Sequence, residues 1–175
     1  FILNVFTSIV IARKLGPELL GIWVIISFLP GYAEAFGRIK FDLAAVYFIG
    51  KKRYTENETL YHLNIVATIS ATFIITLIFF FDNYINQLLF NGETNSLTLI
   101  YAILPIIPLN FFFLNYSYLL ISREDIKYYN IMIIIKAIIG SGGACILLLI
   151  FDLGLWSIII ASVFSVFIAL IFGIW

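Results

Sequence analysis

The chain has 175 residues and a net charge of zero; only 11% of its residues are charged, while 63% are hydrophobic. Its mean hydropathy is +1.10. A soluble domain carries about a quarter charged residues, so the composition excludes one, and the balanced charge gives no pull toward nucleic acid. The expected fold is an all-α polytopic membrane protein, a bundle of about six transmembrane helices with the bilayer as its solvent.

A hydrocarbon core of about 30 Å takes about 20 helical residues, and that length sets the predicted elements. Residues 2–12 are too short to cross alone and read as the outer half of a truncated first helix. The chain opens on Phe1 inside this apolar run and closes on Trp175 in another, as expected of a fragment of a longer protein. No basic segment or small-residue cleavage site frames the first run, so the helices themselves are expected to direct insertion. The second helix, 19–49, is too long for one straight crossing. The third to sixth are 60–81, 97–121, 128–151 and 154–175. Pro105 and Pro108 each remove a backbone donor from the fourth helix, which predicts a kink near its middle. The fifth carries Gly140-Ser141-Gly142-Gly143-Ala144, small residues suited to close helix packing or to a hinge. Cys145 is the only cysteine and His62 the only histidine, so no disulfide, metal centre or other cofactor is expected.

Basic residues in the short turns set the expected sidedness. The turns after the second and fourth helices hold Lys51, Lys52, Arg53, Arg123 and Lys127, whereas the other side has only Arg13 and Lys14. The first group is expected in the cytoplasm, with the first helix running outward. Tyr54, Tyr61, Tyr116, Tyr118, Tyr128 and Tyr129 flank the two basic turns, where amphipathic rings sit at headgroup depth.

Function is to be sought in the polar residues of the apolar spans. Glu34, Arg38, Lys40 and Asp42 lie in the second helix. Each charge costs about 2.5 to 3.5 kcal/mol near the bilayer centre, roughly 12 in total, against roughly 7 returned by the apolar residues around them. Facing lipid at the midplane, this helix would not insert. Glu34, Arg38 and Asp42 are spaced four apart and stack on one helix face, so two carboxylates can brace one arginine. Two readings are open. The ladder sits near the cytoplasmic interface with 41–50 along the membrane surface, or Pro30-Gly31 bends the helix and the charges line a water-filled cavity. Lys136 in the fifth helix either snorkels to the interface or joins Arg38 and Lys40 in a basic pocket suited to a phosphate-bearing headgroup. Asn4, Asn110 and Asn115 are candidates for interhelical hydrogen bonds or for substrate contact.

Ala12-Arg13-Lys14-Leu15-Gly16-Pro17-Glu18, followed by Gly21-Ile22-Trp23, resembles the first outer loop of polysaccharide-exporting flippases, which reads A-R-x-L-G-P-E-x-x-G. Phe41-Asp42-Leu43-Ala44-Ala45-Val46-Tyr47-Phe48-Ile49-Gly50 is similar to the end of that family's second helix. The family is the Wzx-type O-antigen and capsule flippases of the multidrug, oligosaccharidyl-lipid and polysaccharide exporter superfamily. The resemblance implies that residues 1–175 are most of the N-terminal bundle, half of a larger two-bundle transporter in the bacterial cytoplasmic membrane. It implies alternating access for a polyprenyl-diphosphate-linked oligosaccharide, moved from the cytoplasmic to the outer leaflet. Arg38, Lys40 and Lys136 would hold the diphosphate, with Asn4 and Asn110 as further substrate contacts, and Glu34 and Asp42 as partners of Arg38 or ion carriers. A polysaccharide polymerase and a chain-length regulator are the expected partners beside membrane lipid.

Three other functions compete. A drug or cation exporter of the same superfamily needs an acidic cavity, and buried Arg and Lys count against it. A membrane glycosyltransferase or polymerase needs a sizeable loop or a cluster of carboxylates and His at the membrane face, which the short turns lack, so the chain is expected not to be an enzyme. A membrane scaffold would use its buried charges for assembly alone.

Overall fold

The computed structural model describes residues 2–38, 55–90 and 94–174, with Tyr47 and Ile49. Lys40, Asp42, the stretch 41–50 apart from those two residues, the basic turn Lys51 to Arg53 and Tyr54 lie outside the described residues, as does the side chain of Asn4. Among the described residues the secondary structure is entirely helical: α1 (Ile2–Gly37), α2 (Glu56–Phe80), α3 (Asp82–Phe90), α4 (Thr94–Ile103), α5 (Ile106–Ser122), α6 (Ile126–Ala137), a π-helical turn (Ile138–Gly142), α7 (Gly143–Ile150) and α8 (Leu155–Ile174). Five stretches are long and apolar enough to cross a membrane. The chain is an all-α polytopic membrane protein.

α1 is two helical arms joined at Gly16, whose φ of 74° and ψ of 173° lie outside the helical region. Both angles follow from the sequence. A residue before proline is pushed to extended ψ, and glycine alone takes positive φ without a Cβ clash. Pro17 then opens the second arm, where its missing N–H is no loss. The first arm runs alongside α7, with Thr7 Oγ1 3.6 Å from Cys145 Sγ and Lys14 Nζ 4.0 Å from Asp152. The second arm returns, so that Gly37 lies against Ile74 of α2 and Phe111 of α5. The first arm reaches Leu15, beyond the expected end at 12, and Pro30 sits buried within the second arm; inside α1 the non-helical backbone is at Gly16, not at Pro30-Gly31.

α2 begins a turn earlier than the apolar run alone suggests. Thr55 Oγ1 accepts from the Glu58 N–H at 3.3 Å, and Glu58 Oε2 accepts from the Thr55 N–H at 3.0 Å. This capping box satisfies two of the donors a helix start leaves open. Residues 82–96, expected as a loop, contain α3, which seats Asn86 and Phe90 inward. Its start is tied to α4 by a hydrogen bond from the Tyr101 hydroxyl to Asp82. The fourth span breaks at Leu104-Pro105, where Pro105 caps α5. Pro108 falls in the first turn of α5, where proline is tolerated, so the expected kink belongs to Pro105.

α5 ends in a Schellman motif. The Asp125 N–H donates to the Leu120 carbonyl at 2.9 Å and the Glu124 N–H to that of Ile121 at 3.0 Å, with Glu124 at a φ of 61°. Arg123 pairs there with Glu56 at 2.6 Å. The turns before α2 and after α5 therefore lie at one end of the bundle, called the basic end below. The turns at Gly16 and Asp152 lie at the other.

α5 and α8 form the centre of the bundle. Ile107, Phe111, Ile159, Val166 and Ala169 are almost wholly buried, and α8 also packs against α6, the π turn and α7. The small residues of that turn serve this contact: a Cβ on Gly140 would meet Ser165 at 3.3 Å, and one on Gly143 would meet Ala161 at 3.5 Å. Many phenylalanines, isoleucines and leucines elsewhere face outward, Phe80 and Ile150 at 82% and 72% exposure. In water such a surface would aggregate; in a bilayer it is the lipid-facing side.

Candidate functional site

Two cations reach α5 from different helices. Arg38 immediately follows the last residue of α1, and its Nη2 donates to Asn115 Oδ1 at 3.1 Å. Asn115 in turn donates through Nδ2 to Asn64 Oδ1 of α2 at 3.0 Å. The guanidinium stands 5.6 Å from the centre of the Tyr118 ring. Asn115 is 2% exposed. With both ends of its amide engaged, it fixes its own orientation and that of the arginine. A small cavity lined by Gly37, Arg38, Leu63, Val66, Ala67 and Asn115 opens beside this chain of amides.

Lys136, in the last turn of α6, donates from Nζ to Asn110 Oδ1 at 3.2 Å and stands 4.2 Å from the centre of the Phe113 ring. The ammonium thus turns inward to an amide and an aromatic face, a cation–π arrangement that gains strength away from water. On a rise of 1.5 Å per residue, Lys136 lies about 15 Å from the start of α6, close to the middle of a membrane about 30 Å thick. Glu34, half-buried one turn before Arg38, lies within electrostatic reach of Lys136. The π turn starts two residues beyond Lys136. Such a widened turn shifts helix register locally, and these turns are frequent at functional sites.

Glu34, Arg38, Lys136, Asn110 and Asn115 therefore converge around the middle of α5. Arg38 and Lys136 do so at separate acceptors: Asn110 and Asn115 are five residues apart, about 140° around the helix. The described part of α1 ends at Gly37, so the third rung of the expected ladder, Asp42, and the expected third cation, Lys40, lie outside the described residues.

Three participants emerge only in three dimensions. Asn64 is the terminal acceptor of the amide chain, and a lone amide inside the apolar run 60–81 was its signal in the sequence. Tyr118 reads as an interface anchor but lies beside Arg38. Phe113 carries no sequence mark at all among so many phenylalanines. Comparison with protein-family models, with curated proteins and with solved structures yields no match to this chain.

Proposed function

We propose that the chain is the binding half of a membrane transporter that moves a polyprenyl-diphosphate-linked oligosaccharide between leaflets of the bacterial cytoplasmic membrane, with Arg38 and Lys136 receiving the diphosphate. The observation that carries this reading is that each cation donates to the carbonyl oxygen of a neutral asparagine. An amide carbonyl orients the cation that donates to it and brings no charge of its own. Each cation suits a phosphate, whose oxygens accept charge-assisted hydrogen bonds, and the two, on separate faces of α5, would receive the diphosphate in turn. The polyprenyl tail would stay in lipid against the outward phenylalanines. The amide chain through Asn115 and Asn64 links α1, α2 and α5, so an anion drawing on Arg38 would act on three helices at once. Alternating access needs a coupling of this kind. Glu34 would hold Lys136 in place until the anion arrives.

The test is movement of a fluorescent polyprenyl-diphosphate oligosaccharide across proteoliposomes containing the protein. Arg38→Gln with Lys136→Gln is expected to reduce the rate by at least about a hundredfold, each lost charge-assisted contact being worth roughly tenfold or more, with membrane insertion intact. Unchanged movement in this double variant would overturn the reading. Movement of a hydrophobic cation in place of the diphosphate lipid would transfer it to drug export.

A further inference from the structure

The returning arm of α1 carries an aromatic ladder that the diphosphate site leaves unused. Phe28, Tyr32 and Phe36 follow one another at four-residue spacing and are 53%, 59% and 75% exposed. Their rings form a continuous row, with centroids 5.8 Å apart from Phe28 to Tyr32 and 6.4 Å from Tyr32 to Phe36. At 100° per residue the three fall within an arc of about 80°. On one flank of that arc, within about a further 120°, lie Ser27, Gly31 and Glu34, with Arg38 immediately beyond the helix end. Ser27 and Glu34 are half-buried and Gly31 is open, with nothing within 4 Å of where a Cβ would stand. The Ser27 hydroxyl donates to the Val24 carbonyl at 2.7 Å and keeps its acceptor side available.

A face built for acyl chains needs no polar border, and a tyrosine directed at lipid belongs at headgroup depth. Tyr32 instead sits two residues before Glu34 and five before Gly37, which touches Phe111 near the middle of α5. Its hydroxyl has no hydrogen-bond partner among the described residues. A row of open rings edged by a hydroxyl and a carboxylate suits a ligand with one apolar face and a rim of hydroxyls. A pyranose has that shape: its axial C–H face stacks on an aromatic ring, and its equatorial hydroxyls reach donors and acceptors in the ring plane.

We propose that Phe28, Tyr32 and Phe36 form a saccharide track, with Ser27, Glu34 and the Tyr32 hydroxyl as hydrogen-bond partners for the sugar rim. The track rests on the diphosphate reading above, because it leads away from Arg38 and takes the sugars next to the phosphates. It assigns the aromatic row to sugars and leaves the tail to the fully apolar faces.

Two probes separate this proposal from the reading beneath it: a short-chain polyprenyl diphosphate bearing a trisaccharide, and the same lipid without sugar. Binding of each to the protein in nanodiscs is measured for the wild type, for Phe28→Leu/Tyr32→Leu/Phe36→Leu, and for Tyr32→Trp. Leucine keeps the arm apolar and able to insert, and tryptophan keeps an aromatic face and a polar hydrogen. The triple variant is expected to bind the trisaccharide lipid about tenfold more weakly and the sugar-free lipid as the wild type does, with Tyr32→Trp retaining the preference for sugar. Equal wild-type affinity for the two lipids, or a triple variant that keeps the preference, would overturn the track and leave the diphosphate site standing. A wild type that binds neither lipid would overturn both.

Discussion

Arg38 and Lys136 both end on asparagines of α5, but they leave from opposite kinds of position. Arg38 follows the last turn of α1, where the chain is no longer bound by helical geometry and the guanidinium can be placed by what surrounds it. Lys136 is fixed within a continuous run of helix that proceeds through the π turn into α7. Its ammonium must therefore find its amide and ring where the helix face already points. A cation at a helix end can be held by a relay, here Asn115 and Asn64, and the relay couples helices. A cation within a helix has one acceptor and one ring, both on α5, with Glu34 of α1 in electrostatic reach, and its flexible stem leaves it an escape to the interface.

The largest expected effect tests the relay. Asn115→Leu removes the acceptor of Arg38 and the donor to Asn64 together, in a residue almost fully buried. Taking one acceptor from the guanidinium and the donor from Asn64 costs about 3 kcal/mol, to be read from reversible unfolding in mixed micelles. A loss below about 1 kcal/mol would mean that the relay orients Arg38 without stabilising the bundle. Gly37→Ala comes next. Its Cβ would stand 2.6 Å from Ile74 Cδ1 and 2.7 Å from Phe111 Cζ, and the rigid ring cannot step aside, so overpacking costs about 2 kcal/mol and shifts the origin of Arg38. Gly173→Ala provides the control: its closest neighbour is Met132 Sδ at 2.5 Å, a side chain that adapts, and the loss is expected to stay below about 1 kcal/mol. Asn110→Leu should cost about 1 kcal/mol, less than Asn115→Leu, because the lysine stem can carry the ammonium toward the interface. Equal losses at Asn110 and Asn115 would erase the distinction between the two cations.

The spans were legible from apolar run length, because a bilayer demands that length whatever the partners are. The break at Pro105 was legible too, from the missing donor, whereas for Arg38 and Lys136 cost and spacing left both an interfacial and an inward placement open. What the sequence could not supply is the pairing. Asn110 and Asn115 differ by five positions on one helix, and only the packing of α1, α2 and α6 around α5 decides which cation meets which amide. Thr55-Glu56-Asn57-Glu58 is a capping box that moves the start of α2 ahead of its apolar run, a signal that apolar run length does not contain. The π turn had no distinct signal, since Gly140-Ser141-Gly142-Gly143 fits close packing as well as a widened turn. The packing it makes with Ser165 and Ala161 shows that the same residues do both.

The smallest expected effect concerns two ion pairs among the described residues, one at each end of the bundle. Arg123 and Glu56 meet at 2.6 Å, their side chains each 40% exposed, and tie the start of α2 to the end of α5. They therefore set the level of Asn64 against Asn115. Lys14 and Asp152 stand at 4.0 Å with side chains 46% and 81% exposed, tying the first arm of α1 to the turn after α7. Solvent and salt screen both pairs, and exposed pairs contribute about 0 to 1 kcal/mol. Glu56→Gln is expected to cost about 0.5 kcal/mol at low salt and less at high salt; Asp152→Asn should cost nothing measurable. The informative reading is the effect on each cation. If the relay depends on the level of α2, Glu56→Gln adds less to Asn115→Leu than it costs alone, because the interaction it protects is already gone. Asp152→Asn should remain additive with Asn110→Leu, since Lys136 and Asn110 are positioned by the α5, α6 and α8 core, not by the outer turn. Additivity in both pairs would separate Arg38 from its own end of the bundle and make its relay as local as that of Lys136.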